Sequence, residues 1–434
     1  MKFIINGGKK LNGEITLSGS KAVAPKMMVA SLLTSEPVYL ENFPLIGDTD
    51  ITGELCCLIG SQIAIDAEKN VLKIQTPEIK NSRVVSLTRR NRIPILALGP
   101  LLARVGEAEV PFLGGDKIGA RPVDIHLSAL TAMGAIIETN NNTYKATAPD
   151  GLHGAKINFR YPSVGATENI ILAAVLAKGR TVITNAAVEP EIIELIKMLQ
   201  KMGAIIELGA NRVIYIDGVE KLHGARHAIL PDRNEAVSFA CLAVATGGKI
   251  LVKKARQQDL ITFLNALRRI GGEYKVVPQG IIFYRSQQSL KSIEVETDTH
   301  PGFMTDWQQP FSALLTQADG SSVIHETVYE DRFGYTQDLN LMGADIKVFS
   351  KCLGELNCRF NGLAHNHSAI INGATPLHSA ELEVRDLRSG MVNVLAALIA
   401  NGQSIISGVE EIDRGYFKID ERLRKLGASI RREL

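Results

Sequence analysis

Basic side chains stand where helices are set to begin. Lys21, Arg92, Arg160, Arg233 and Arg388 each precede a strongly apolar run, in SGSKAVAPKMMVASLL, TRRNRIPILALGPLLA, NFRYPSVGATENIILAA, LPDRNEAVSFACLAVA and RDLRSGMVNVLAALIA. A helix start already carries partial positive charge on its unpaired N–H groups, so a cation there is mildly unfavourable. Further arginines occupy tight loops: Arg121 in GGDKIGARPVD, Arg332 in YEDRFGY and Arg414 in IDRGY. Taken singly, each reads as surface charge or as the partner of an acid such as Asp331, Asp386 or Asp413. As a set recurring at one corner, they describe a trap for a small ligand bearing several phosphates or carboxylates. Two acids accompany them. Asp116 lies in the glycine-rich loop LGGDKIGARPVD, and Asp306 lies in THPGFMTDWQQPF, where the competing reading is a helix N-cap. The loop matches neither the Walker A pattern nor GxGxxG. It reads as a flexible turn, or as a lid that carries Asp116, Lys117 and Arg121 onto ligand.

The elements that must position these residues repeat six times. A helical run ends in an apolar residue, then Gly, then a short β-branched stretch, at Gly60, Gly134, Gly203, Gly271, Gly343 and Gly427. The separations are 74, 69, 68, 72 and 84 residues, a period near 70 held along the whole chain. Gly at that place closes a helix, and a strand follows. Between these glycines a polar or charged segment opens an apolar helix six times, in the five basic segments above and in VETDTHPGFMTDWQQPFSALL, so each unit reads strand, helix, strand, helix, strand. The apolar helices, such as residues 169–177 and 392–400, are apolar nearly all round and belong inside a core. Six such units exceed one core. The expectation is therefore an α/β chain of two domains with three units each, divided near LPDRNEAV at 230–237.

Composition removes several classes of function. The 434 residues are 45% hydrophobic and 22% charged, with a net charge of +2 and only 5% aromatics. There is no basic field or stacking platform for nucleic acid. The longest clean apolar run, Ile170 to Ala177, is far short of a membrane span, and the start, MKFIINGGKKLNG, has no signal-peptide pattern. The five cysteines (Cys56, Cys57, Cys241, Cys352 and Cys358) form no CxxC and read as reduced, cytoplasmic thiols. The H-x-H of His365 and His367 reads as surface strand, so no metal and no cofactor are expected.

The segments GGDKIGARPVDIHL, YPSVGATENIILAA, LPDR, TDWQQP, ETVYEDRF, DLR and IDRGY together resemble the enolpyruvyltransferases, over essentially the whole chain. The likeness is strongest to the branch that acts on a nucleotide sugar; the shikimate-phosphate branch lacks the IGARPVD and SVGATEN segments. The resemblance implies an inside-out α/β barrel in each domain, with 22–230 as one domain and 1–21 plus 231–434 as the other. It also implies a mobile loop near 112–122 and an active site in the cleft between the domains. The implied reaction moves the enolpyruvyl group of phosphoenolpyruvate to the 3-hydroxyl of UDP-N-acetylglucosamine and releases phosphate, without metal or cofactor. Matched position by position, Lys21, Arg121, Arg388 and Arg414 would hold phosphoenolpyruvate. Asp306 would stand at the sugar hydroxyl with Arg332 in support, and Asp116 would supply the general acid. Ala22, Arg92, Arg121, Pro122, Val123, Asp124, Ile125, Arg160, Ser163, Val164, Gly165 and Val328 would line the nucleotide-sugar site.

The chain departs from the family at several of these positions. Asp116 stands where cysteine is usual, which removes the thiolate that fosfomycin alkylates and predicts insensitivity to it. Ala22 stands where asparagine is usual, losing a side-chain amide worth about 1–3 kcal/mol if its partner is left buried. Pro94, Val188 and Gly334 are smaller departures in the same regions. They are compatible with an altered acceptor or a slower paralogue.

Overall fold

The computed structural model describes residues 1–115, 119, 122–140, 142–286, 289–356 and 358–433. Asp116, Lys117 and Arg121 lie outside the described residues.

All six expected glycines close helices. The helices Gly47–Ile59, Asp124–Ala132, Pro190–Lys201, Ile261–Arg269, Thr336–Leu341 and Ile419–Lys425 end one or two residues before them. Each glycine has a φ between 91° and 131°, a region costly for any residue with a Cβ. The residue after the glycine then bonds back to the last helical turn, as in Ala204 N–H to Leu199 O at 2.9 Å and Ala344 N–H to Leu339 O at 3.0 Å.

The units carry more strand than the sequence pattern shows. In four of them a second strand turns back from the post-glycine strand as a hairpin, for example Gln62–Asp66 with Val71–Gln75 and Gly272–Val277 with Gly280–Arg285; in the fifth, Asp345–Phe349 pairs with Ser368–Gly373 across the longer connection 350–367. The four hairpins read as one β-branched stretch because their turns are short; Asn70, at φ 51°, makes one of them. The sixth unit takes its extra strand from the chain start, where Lys2–Asn6 pairs antiparallel with both Gln403–Ser407 and Ser429–Glu433.

The chain divides into two compact units, Met1–Ser18 with Pro231–Leu434, and Gly19–Gly115 with Pro122–Leu230. The N-terminal division thus falls between Ser18 and Gly19, so Lys21 belongs to the second unit. In the first unit, Asn12–Thr16 lies parallel to Lys249–Lys253. In the second, Arg226–Ala228 lies parallel to Val38–Glu41. Each of these strands precedes, in sequence, a core helix of the other unit.

Each unit has its own hydrophobic core. In the first unit, helices Arg233–Ala245, Gln308–Leu315 and Leu387–Ile399 contact one another and are buried at every position except Ile399. In the second, Leu98–Val105 meets Val164–Ala174, whose residues from Ala166 onward are all buried. Gly99 approaches Ala173 so closely that a Cβ there would stand 3.0 Å from its backbone nitrogen. Truncating a fully buried leucine in such a helix, Leu395→Ala for example, costs about 2–5 kcal/mol. These buried helices are rigid mounts for whatever their first residues carry.

Candidate active site

In the first unit the acid Asp306 sits between two arginines. It lies in the turn Thr305–Trp307, and its side chain caps no helix. The carboxylate instead accepts from an Arg332 guanidinium nitrogen and from Arg388 Nε at 3.2 Å. Asp306 keeps 23% of its side-chain surface exposed, whereas Arg332 and Arg388 keep 2% and 7%. One face of the carboxylate is therefore open while both cations are fixed behind it. Arg388 also donates to Tyr416 Oη at 3.0 Å, and Tyr416 Oη lies 3.0 Å from Ser238 Oγ. Burial works against charge on Arg388, but Tyr416, Asp306 and Asp232 outweigh it, and the guanidinium holds its proton more firmly than usual. The same balance, set by burial against Asp306 and Glu326, raises Arg332. Arg414 is nearly buried and donates to Glu411 at 2.8 Å.

Behind this corner stands a residue that the sequence reading did not assign. Glu326 is fully buried, and burial pushes its carboxyl upward, against the pull of Arg332, Thr305 and the amides of Tyr329 and Val328. One oxygen accepts from Thr305 Oγ1 at 2.8 Å and from Gln308 Nε2. The other accepts from the backbone N–H groups of Val328 at 2.7 Å and Tyr329 at 3.0 Å. Glu326 thus ties the turn carrying Asp306 to the segment carrying Val328. Its signal was an acid directly after the strand Ala318–His325, within ETVYEDRF.

Two helix starts in this unit are not free anion sites. Asp232 caps Arg233–Ala245 through Asn234 and Glu235 N–H, and Asp386 caps Leu387–Ile399 through Arg388 and Ser389 N–H. With those N–H groups taken, anion binding falls to the arginine side chains. Arg233 is turned to a different use. It is buried, with its guanidinium 5.4 Å above the Trp307 ring. Among the acids offered as ion partners, Asp413 pairs with Arg432 at 2.6 and 2.8 Å, not with Arg414.

In the second unit Lys21 Nζ lies 2.9 Å from Asp48, and both are largely covered. The Ala22 carbonyl accepts from Lys26, whose ammonium is also 3.3 Å from buried Glu168. Pro122, Val123, Asp124 and Ile125 form the opening of helix Asp124–Ala132, and Asp124 pairs with Arg160 at 2.5 Å on an exposed face. Ser163 caps the next helix through Ala166 N–H at 3.3 Å, which places Val164 and Gly165 in its first turn. Gly165 faces His126, and a Cβ there would stand 3.1 Å from its ring. Burial, with Arg92 in support, pushes the His126 imidazole down to about 3, so this histidine is neutral. In this unit Lys21, Arg92, Arg160 and the 122–125 and 163–165 turns each stand at or shortly before a helix opening.

Comparison with known proteins agrees with this architecture. Residues 5–423 match the family model of EPSP synthase (3-phosphoshikimate 1-carboxyvinyltransferase). The chain is 47% identical over 432 residues to the UDP-N-acetylglucosamine 1-carboxyvinyltransferase of Protochlamydia amoebophila, covering 98% of this chain and 93% of the relative. It is 49% identical over 427 residues to the protein of the same name from Chlamydia pneumoniae, with the same coverage. Among solved structures, the enolpyruvyl transferase NikO from Streptomyces tendae superposes with a TM-score of 0.86 at 23% identity, over 99% of this chain and 98% of that one. EPSP synthase from Acinetobacter baumannii gives 0.71 at 19% identity, over the full length of both. These structures share the fold, and with the family model and the close relatives they show that the chain belongs to the enolpyruvyltransferase (EPSP synthase) family.

Proposed function

We propose that the protein is a transferase that moves the enolpyruvyl group of phosphoenolpyruvate to the 3-hydroxyl of UDP-N-acetylglucosamine and releases phosphate, the first committed step of peptidoglycan synthesis. The observation that carries this reading is the 47–49% identity, over 98% of the chain, to relatives bearing that name. The Asp306 corner supports it chemically. Addition of a hydroxyl to an enol phosphate, followed by loss of phosphate from the tetrahedral ketal, needs an acceptor for the hydroxyl proton, a proton donor for the methylene carbon, and cations around phosphate and carboxylate. In this reading Asp306 takes up the hydroxyl, Arg388 and Arg414 with Lys21 and Arg121 hold phosphoenolpyruvate, and Asp116 protonates carbon. The nucleotide sugar is assigned to Arg92, the 121–125 turn, Arg160, the 163–165 turn and Val328. The reaction is assigned to the cytoplasm, in line with five unpaired cysteines; no described helix is long and apolar enough to cross a membrane.

The test is phosphate release from phosphoenolpyruvate with and without UDP-N-acetylglucosamine, in wild type and Asp116→Asn. Acceptor-dependent release that collapses in the variant is expected; release indifferent to the acceptor would contradict the reading. A second acceptor is favoured by one residue, Ala22. If Ala22→Asn leaves turnover of UDP-N-acetylglucosamine low and unchanged, another sugar nucleotide is the substrate. Because Asp116 offers no thiol, intact mass after fosfomycin treatment is expected to be unchanged, and a covalent adduct would contradict the assignment of that loop.

A further inference from the structure

Four side chains with metal-ligand chemistry converge in the first unit, and the proposed reaction uses none of them. His325 ends the strand Ala318–His325. Cys352 and Cys358 lie in residues 350–367, the connection between strands Asp345–Phe349 and Ser368–Gly373, and His367 is its last residue. One ligand atom from each of the four lies within 4.8 Å of all the others. A tetrahedral zinc ion with bonds of about 2.0–2.3 Å needs its ligands about 3.3–3.8 Å apart, so closing this set takes a shift of about 1 Å.

The hydrogen bonds around the two imidazoles orient them for such an ion. His367 Nδ1 lies 2.7 Å from the His365 carbonyl, which can only accept, so Nδ1 carries the proton and Nε2 presents a lone pair. That Nε2 lies 3.2 Å from Cys352 Sγ. His325 Nδ1 is bonded to Ser368 Oγ at 2.9 Å, and its Nε2 is buried without a hydrogen-bond partner among the described residues. Metal-ligating histidines characteristically engage the other ring nitrogen in this way. Cys358 Sγ accepts from the Phe360 N–H at 3.4 Å, an interaction suited to a thiolate. Phe360, fully buried, covers the set with its ring 5.8 Å from that of His367.

The connection itself calls for a staple. It contains no helix or strand among its described residues, and a loop of this length in a compact domain is held by something other than its own backbone pairing. Glu296 fixes one stretch by accepting from the N–H groups of Glu355 at 2.7 Å and Leu356 at 2.9 Å. The four-residue cluster would fix the rest.

We propose that His325, Cys352, Cys358 and His367 bind zinc as a structural site that ties residues 350–367 to the strand end at His325. Two thiolates and two neutral imidazoles fill a tetrahedral zinc completely, which leaves no open position for catalysis. Zinc is not expected from the sequence because the cysteines form no CxxC and His365 and His367 read as a lone H-x-H in a surface strand. The structure places neither in a strand, leaves His365 exposed, buries His367 and brings in His325, which is distant in sequence but sits opposite Ser368 across paired strands. The site also adjoins the proposed substrate residues through Arg359, which donates to the Val328 carbonyl.

Native mass spectrometry and elemental analysis of the full chain, purified under reducing conditions from zinc-supplemented medium, test the proposal. About one zinc per chain is expected, and chelation is expected to lower the melting temperature until zinc is returned. Cobalt substitution is expected to produce the visible bands of tetrahedral, thiolate-bound cobalt. Cys352→Ser and Cys358→Ser are each expected to weaken zinc binding by about 100-fold or more, while exposed Cys57→Ser leaves it unchanged. If a ligand variant fails to fold, zinc and cobalt titration of the wild-type apoprotein still decides. A metal-free wild type whose melting ignores both zinc and chelator would overturn the site. So would zinc content indifferent to both cysteine changes, or a mass two hydrogens short that marks a Cys352–Cys358 disulfide.

Discussion

In one unit, Arg332 and Arg388 are buried and both grip Asp306; in the other, Arg160 leaves 66% of its side chain in solvent and pairs with Asp124, itself 48% exposed. Both regions gather charge at the mouth of a core helix, but they differ in what has been settled before substrate arrives. The exposed pair contributes about 0–1 kcal/mol and is readily exchanged for a ligand anion. Arg332 and Arg388 have lost their water, and removing the carboxylate they share strands two buried cations at about 3–5 kcal/mol. The difference suggests a division of labour. On the proposed reading, the Asp306 corner is preorganised for the reacting atoms, and the Arg160 turn is available to recognise the larger part of the substrate.

The largest effect is expected at the corner itself. Asp306→Asn keeps the shape but removes the proton acceptor, and kcat is expected to fall by about 10²–10⁴-fold. Steady-state kinetics with phosphoenolpyruvate saturating would check this, and a loss below tenfold would contradict the role. Glu326→Gln comes next. An amide nitrogen would then face either the Val328 and Tyr329 N–H groups, which only donate, or Gln308 Nε2 with the Thr305 hydroxyl, which would have to turn to accept, at a cost of about 1–3 kcal/mol. Urea unfolding should show that loss together with a lower kcat/KM, because both tied segments carry proposed substrate residues.

A comparable effect in the second unit is visible only through pH. Glu168 is buried against Lys26, Glu191 and Glu189, and burial raises its carboxyl to about 7 from the ordinary 4.5. A raised folded value means that the native state binds the extra proton between these limits. Stability should therefore fall as pH rises from about 4.5 to about 7, by on the order of 1–3 kcal/mol, and level off above. The double variant Lys26→Met with Glu168→Gln should flatten that part of the urea-unfolding profile. The smallest change in stability is expected for Arg160→Ala, within about 0.5 kcal/mol of wild type by the same measurement.

The residues that had to satisfy a backbone rule were the legible ones. A glycine at a helix end is dictated by its positive φ, so six helix closures and the period of the fold could be read directly. The apolar helices declared their burial because no face was polar. The hairpin strands were hidden by turns too short to separate two strands on pattern alone, and Lys2–Asn6 pairs with strands about 400 residues away, which no local signal reports. At the site, Asp306, Arg332 and Arg388 were named from motifs, yet their mutual grip depends on strand and helix ends far apart in the chain. Glu326 was missed because an acid beside a strand usually faces water. His325 was missed because its neighbours are across the sheet.

The most direct test of the preorganised corner against the recruitable turn is to measure kcat and KM for UDP-N-acetylglucosamine in Asp306→Asn and Arg160→Ala side by side. The account predicts that Asp306→Asn loses kcat with KM little changed, and that Arg160→Ala raises KM with kcat largely kept. The reverse pattern, with kcat lost at Arg160 and only KM affected at Asp306, would contradict it.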